Sequence, residues 1–171
     1  RFEAGDLIGI LAEGSAVPRF YSLASSSRDG FVEIVVRKCP GGLCSGRLVA
    51  LEPGQRVRAF LRRNPAFHAG RGRAPLLLIG AGTGIGPLAG MIRANRRGRP
   101  VFLFYGLRDR ASDFVYGTEL EAWRAEGRLV GLVTATSRGA RPHYVQDALK
   151  AEGAAVAAFV RGGARVMVCG G

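Results

Sequence analysis

Lysine is almost missing from a strongly basic chain. The 171 residues include 25 Lys and Arg, yet only Lys38 and Lys150 are lysines, so the net charge of +12 is carried by arginine. A positive surface of this kind attracts phosphates or an acidic partner. The clusters Arg56/Arg58/Arg62/Arg63 and Arg93/Arg96/Arg97/Arg99 lack the interleaved exposed aromatics of a nucleic-acid surface, so no nucleic-acid partner is expected. Cysteine and histidine are also scarce. Cys39, Cys44, Cys169, His68 and His143 show no C-x-x-C or paired-histidine spacing, which excludes a zinc site and leaves no metal expected. An odd number of cysteines without a disulfide framework fits a reducing, cytoplasmic compartment. Residues 74–92 carry no charge, but five glycines and two prolines interrupt them, and a glycine loop in the middle rules out a spanning helix. There is no initiator Met, and the chain runs from RFEAGDLIGIL to VMVCGG. It reads as a fragment, and a membrane tether, if the full-length protein has one, would lie outside it.

Glycine is abundant, at 26, while 47% of the residues are hydrophobic. That combination indicates tight turns around a buried core, not disorder. Residues 1–72 alternate short apolar stretches with turn clusters. LIGIL (7–11), RFYSLAS (19–25), FVEIVVR (31–37) and RVRAFLR (56–62) predict strands, separated by SSSRDG and PGG. Strands at this spacing predict a small antiparallel barrel. Ser45 is placed to cap a short helix over 45–51.

HAGRGRAP (68–75) reads as a linker, and the rhythm changes after it. LLLIG (76–80), VFLFYG (101–106), RLVGLVTA (128–135) and ARVMVC (164–169) predict buried strands. Helices are expected over 86–97, from the cap Ser112 to Glu126, from Pro142 to Gly153, and over 154–160. Buried strands alternating with helices predict a doubly wound parallel sheet over 73–171.

The stretch GAGTGIGPLAG (80–90) follows the first of these strands. Its glycines let backbone N–H groups approach an anion, and the next helix favours negative charge at its N-terminus. The G-x-G-x-x-G pattern fails in every register, with Ile85 or Pro87 at the third position, and no Lys follows as in a Walker loop. Pro87 suits the first helical position. Arg19 and Tyr21 of RFYS share one strand face, offering a charge-assisted bond to phosphate and a flat ring for stacking. GGLCSG (41–46) is a second anion nest. Thr136, Ser137, Arg138, Arg141, Tyr144 and Gln146 gather after the third parallel strand, where open α/β sheets bind ligands. Two arginines there suit a doubly charged phosphate.

In order, RFYS, GGLCS, GAGTGIGP, FYGLRDRASDFVYGTEL, TSR, HYVQDAL and VMVCGG resemble the ferredoxin–NADP reductase superfamily, in particular the reductase module of sulfite reductase flavoprotein and cytochrome P450 reductase. The large helical insertion between LIGIL and RFYS is absent. The resemblance implies a Greek-key FAD-binding β-barrel (1–72, partial) and an NADP-binding α/β domain (73–171, partial). It implies FAD and NADPH as cofactors and hydride transfer from NADPH to FAD. Electrons would then pass to a flavodoxin-like or FMN domain or another one-electron acceptor, in the cytoplasm or at the cytoplasmic face of a membrane.

By the same resemblance, Arg19 would hold the FAD pyrophosphate and Tyr21 would stack at the isoalloxazine. Ser22 and Cys169 would flank the reacting rings as the catalytic pair. Val35 and Val36 would pass the flavin, and Gly42, Leu43, Cys44 and Ser45 would form the second FAD segment. Gly82, Thr83 and Gly84 would meet the NADP pyrophosphate. Ser137, Arg138 and Tyr144 would take the 2′-phosphate, with Gln146 nearby. Two departures stand out. Pro142 replaces the family's lysine, for which Arg141 is the substitute, and Gly171 replaces an Asp. The second departure keeps an alternative open: a non-catalytic nucleotide-binding or regulatory module of the same fold.

Overall fold

The structure, a computed structural model, describes every residue except Glu13, Arg97, Gly139 and Ala140. Arg97 of the second arginine cluster therefore lies outside the described residues. The first half forms an antiparallel sheet from β1 (Leu7–Ile10), β2 (Arg19–Ser22) and β3 (Ala59–Arg62), in the order β2-β1-β3. α1 (Leu43–Val49) lies between β2 and β3. Gly9 stands opposite both Phe20 and Phe60. It leaves room for their rings, which meet edge-on with centroids 5.8 Å apart. Phe60 is exposed, unlike the expectation for its arginine cluster.

The expected strand over 31–37 contributes one bridge, Ile34 to Leu23. The Ser25 hydroxyl takes the place of a backbone partner: it accepts the Glu33 N–H and donates to the Phe31 carbonyl, both at 2.9 Å. Closure of the sheet into a barrel therefore goes no further than this bridge among the described residues. Ser45 is also not a cap. Gly42 is the N-cap residue of α1, and Ser45 sits one turn inside, with its Oγ accepting the Cys39 N–H and donating to the Gly42 carbonyl.

The second half is a four-stranded parallel sheet. β4 (Leu76–Ala81), β5 (Val101–Leu107), β6 (Gly131–Thr136) and β7 (Arg165–Cys169) take the order β6-β5-β4-β7. Alternate side chains build two cores. Leu76, Leu78, Leu103 and Tyr105 pack with α2 (Ile85–Arg93) and α4 (Gly117–Ala125) on one face. Leu77, Phe102 and Phe104 pack with α5 (Val145–Ala151) and α6 (Gly153–Arg161) on the other. Each fully buried Leu or Phe contributes about 1.5–3 kcal/mol. The sheet is therefore doubly wound, and its strand order reverses between β4 and β7.

Three helix boundaries differ from expectation. Pro87 is the third residue of α2, because a 3-10 turn, Gly82–Gly84, precedes the helix. Pro87 has no N–H to offer, and the third helical position is still one of those whose N–H a helix start leaves unpaired. The helix expected over 112–126 is divided into α3 (Arg110–Asp113), capped by Asp109, and α4. Tyr116 between them is left-handed at φ 62. α5 starts after Tyr144, not at Pro142; the Asp147 carboxylate accepts the Tyr144 N–H at 2.9 Å. Among the described residues no helix is long and apolar enough to cross a membrane.

Candidate functional site: the cleft between the two sheets

The reversal of strand order places the carboxyl ends of β4 and β7 beside one another, the position where open α/β sheets take ligands. The backbone is tightly fitted there. A Cβ on Gly84 would overlap the Cys169 carbonyl oxygen, and one on Gly80 would lie 3.0 Å from Leu88. These two glycines serve helix–strand packing. Gly82 has φ 54 and faces the other way, with an Arg37 nitrogen 2.5 Å from where its Cβ would be. The 3-10 turn has no side-chain cap and no acid in its first turn, so its N-terminal end stays electropositive.

A cleft of about 750 Å³ opens at this point. Phe20, Tyr21, Val35 and Arg37 come to it from the first half, and Gly82, Arg108 and Ser137 from the second. Arg37, Arg108 and His143 line it, and no Asp or Glu does among the described residues. Such a lining favours an anion, and the volume suits an extended ligand.

Of the sequence-predicted residues, Tyr21, Val35, Ser45, Gly82, Thr83, Ser137, Tyr144 and Gln146 line the cleft. Burial, followed by the nearby Cys44 thiol, pushes the Tyr21 phenol up to about 12, so it stays protonated at neutral pH. The Ser137 N–H donates to the Leu107 carbonyl at 3.0 Å, which ties the loop after β6 to the end of β5. Tyr144 is exposed and free to present its ring.

The remaining predicted residues are not among the lining groups. Arg19 is exposed at the start of β2 and Ser22 half-buried at its end. Val36 is half-buried, Gly42 caps α1, Leu43 is exposed and Cys44 is buried behind Tyr21. Gly84 is buried beneath Cys169. Cys169 is half-buried with its thiol pushed up by burial, while Gly171 reaches the cleft. Arg138 and Arg141 are exposed beside it. The Arg138 N–H bonds the Arg108 carbonyl at 2.9 Å, and the Arg141 carbonyl holds His143 Nδ1 at 3.2 Å.

Sequence reasoning missed Arg37, Arg108 and His143. Arg108 had a signal, since it immediately follows the buried parallel strand β5. Arg37 had none. It reaches the glycine loop from 45 positions earlier in the chain.

Comparisons with known proteins agree with this arrangement. The family described as an oxidoreductase FAD-binding domain matches residues 1–60, and the family described as an oxidoreductase NAD-binding domain matches residues 78–171. NADPH-dependent diflavin oxidoreductase 1 of Kluyveromyces lactis is 32% identical over 90% of this chain and 26% of its own length. The sulfite reductase [NADPH] flavoprotein alpha-component of Serratia proteamaculans is 33% identical over 98% of this chain and 30% of its own length. The chain thus spans between a quarter and a third of the length of these relatives.

Proposed function

The chain belongs to the ferredoxin–NADP reductase superfamily, and on that premise we propose that it is the FAD- and NADPH-binding reductase unit of an electron-transfer protein. The observation that carries this reading is the cleft with no Asp or Glu among its described lining residues, which has Tyr21 and Val35 on one wall and Gly82 and Ser137 on the other. A domain boundary within 68–75, giving 1–72 and 73–171, puts one wall on each domain.

The residues fit both groups. Gly82 leaves its backbone uncovered beside Arg37, which suits a pyrophosphate at the helix start. Arg19 would hold the FAD pyrophosphate together with the Gly42–Ser45 nest, and Tyr21 would present its neutral ring to the isoalloxazine. Ser137 and Arg138, with Tyr144 and Gln146, would take the 2′-phosphate. Arg141 is left to a supporting role, because Arg108 and His143 line the cleft and it does not. Bound FAD supplies the hydride acceptor and divides a two-electron donor among one-electron acceptors. The chain's own work is to hold two planar rings in contact and keep water out, which explains why no acid–base dyad is needed. Ser22 and Cys169 are small enough to flank those rings. An acidic flavodoxin-like or FMN domain, on this chain's protein or a separate one, suits the net charge of +12. Three free thiols suit a reducing, cytoplasmic setting.

The test is reconstitution with FAD followed by NADPH reduction of bound flavin and of an added dye. Tight NADPH binding without flavin reduction would make the chain a nucleotide-binding module. Absence of both would end the reading. Within it, Arg138→Ala should weaken NADPH by about tenfold or more and NADH far less, because only NADPH has the extra phosphate. Equal losses would remove Arg138 from the 2′-phosphate site.

A further inference from the structure

Helix α2 lies alongside residues 31–37 of the first half, and the contacts run in register. Gly82 meets Arg37, Gly86 meets Val35 with its Cγ2 3.0 Å from an added Cβ, and Arg93 meets Glu33. Gly90 lies against Ala24, whose carbonyl oxygen an added Cβ would overlap. The last rung is the strongest. Arg93 Nη1 donates to Glu33 Oε2 at 2.8 Å and to the Ala24 carbonyl at 3.0 Å. Its guanidinium lies 5.5 Å from the Phe31 ring of the first half and 5.7 Å from the Trp123 ring of the second.

Tyr116 approaches the same carboxylate. Burial and Glu33 together hold its phenol well above its ordinary value. It is the one described non-glycine residue with positive φ, and a bulky residue keeps that backbone only where its surroundings compel it.

We propose that Arg93 and Glu33, braced by Tyr116, are positioning residues that latch the two halves and so set the separation of the flavin and the nicotinamide. This rests on the function proposed above. Arg93 is about 12 Å along α2 from Ile85, by the rise per residue, and it does not line the cleft. The coupling is geometric. One rigid helix carries the phosphate loop at its start and the latch at its end, while residues 31–37 carry the other half of the latch and the cleft wall. Hydride transfer needs an approach of about 3–3.5 Å, and a shift of about 1 Å costs about a hundredfold.

The experiment uses FAD-loaded protein with Arg93→Gln, Arg93→Lys, Glu33→Gln and the double glutamine variant. Flavin reduction at saturating NADPH should slow about tenfold or more in Arg93→Gln, with NADP⁺ affinity changed by about twofold at most. Arg93→Lys should recover part of the rate. The double variant should be no slower than Arg93→Gln alone, since both remove one interaction. Amide exchange over 31–37 and 85–93 should rise, which reads the latch without turnover. Glu33→Gln preserves size and the Arg93–Ala24 bond, so it decides the matter if Arg93→Gln fails to fold. An unchanged reduction rate in a folded variant, or a loss of affinity matching the loss of rate, overturns the latch alone. Wild-type protein that NADPH does not reduce overturns the function and the latch with it.

Discussion

The two sheets are stabilised in different ways. β4 and β5 are almost entirely buried, packed on both faces by helices, and carry most of the apolar core. β3 is exposed along its whole length and β2 along half of it, and among the described residues before the linker only Ala4 is a buried member of either cluster, with Phe67 packed against it. The first half is held by a polar knot and by its seam with α2. Asp6 is 1% exposed, and its carboxylate accepts from the backbone N–H of Asn64 at 2.7 Å and of Glu3 at 3.0 Å. The same carboxylate lies 2.7 Å from His68 Nε2 and 3.3 Å from Arg63 Nε. The difference teaches where each wall of the cleft gets its rigidity: one from its own core, the other from hydrogen bonds and from its neighbour.

The largest expected effect comes from breaking the polar knot. Asp6→Ala leaves the buried His68 and the part-buried Asn64 and Glu3 N–H groups without their acceptor, and a loss of about 3 kcal/mol should appear in denaturant unfolding of the first half. The contrast has a pH signature. Burial acts to raise the Asp6 carboxyl, but the Asn64, Glu3 and His68 hydrogen bonds outweigh it and hold the group below its ordinary 3.8. A lowered folded pKa contributes stability that is present above 3.8 and is lost as pH falls through the folded value. The acid limb should therefore flatten in Asp6→Asn. An unchanged acid limb would show that the knot does not support the first half.

A seam substitution comes next. In Gly90→Ala the added Cβ would meet the Ala24 carbonyl and the Ala4 side chain. A cost of about 1–3 kcal/mol is expected from overpacking, together with faster amide exchange in both halves at once. A loss confined to the second half would mean that the seam does not stabilise the first.

These contrasts mark how much was legible in the sequence. The second half was, because buried parallel strands print apolar runs such as LLLIG and VFLFYG and their helices follow with caps and glycine stops. The first half was less so. Whether FVEIVVR pairs in a sheet is settled by the Ser25 hydroxyl and by α2, neither of which alternation encodes. The break at Tyr116 was hidden for the same reason, since it rests on packing: Phe114 fills the space a side chain at Gly117 would need. In the cleft, the glycine loop and Ser137 were marked by motifs, whereas Arg37 depends on a long-range approach that no spacing reveals. The four-residue interval of Gly86 and Gly90 was in plain view and does place them on one face of α2. Its meaning needed the partner surface.

The smallest expected effect compares one tyrosine from each half. Burial is the largest cause for both and pushes Tyr21 and Tyr105 up to about 12, with Cys44 adding to Tyr21 and Asp113 to Tyr105. Both folded values exceed the unfolded 10.0. Each phenol thus contributes stability that is complete below pH 10.0 and disappears as pH rises to about 12. Tyr105 also donates to the Asp113 carbonyl at 3.2 Å. Tyr105→Phe should therefore cost about 1 kcal/mol at neutral pH and flatten the alkaline limb of unfolding. Tyr21→Phe should flatten the limb less, because Tyr21 faces the cleft and water reaches it. Its neutral-pH effect should fall on flavin retention instead of stability. Equal alkaline limbs in the two variants would contradict the contrast between a wall set in a core and a wall set on a cleft.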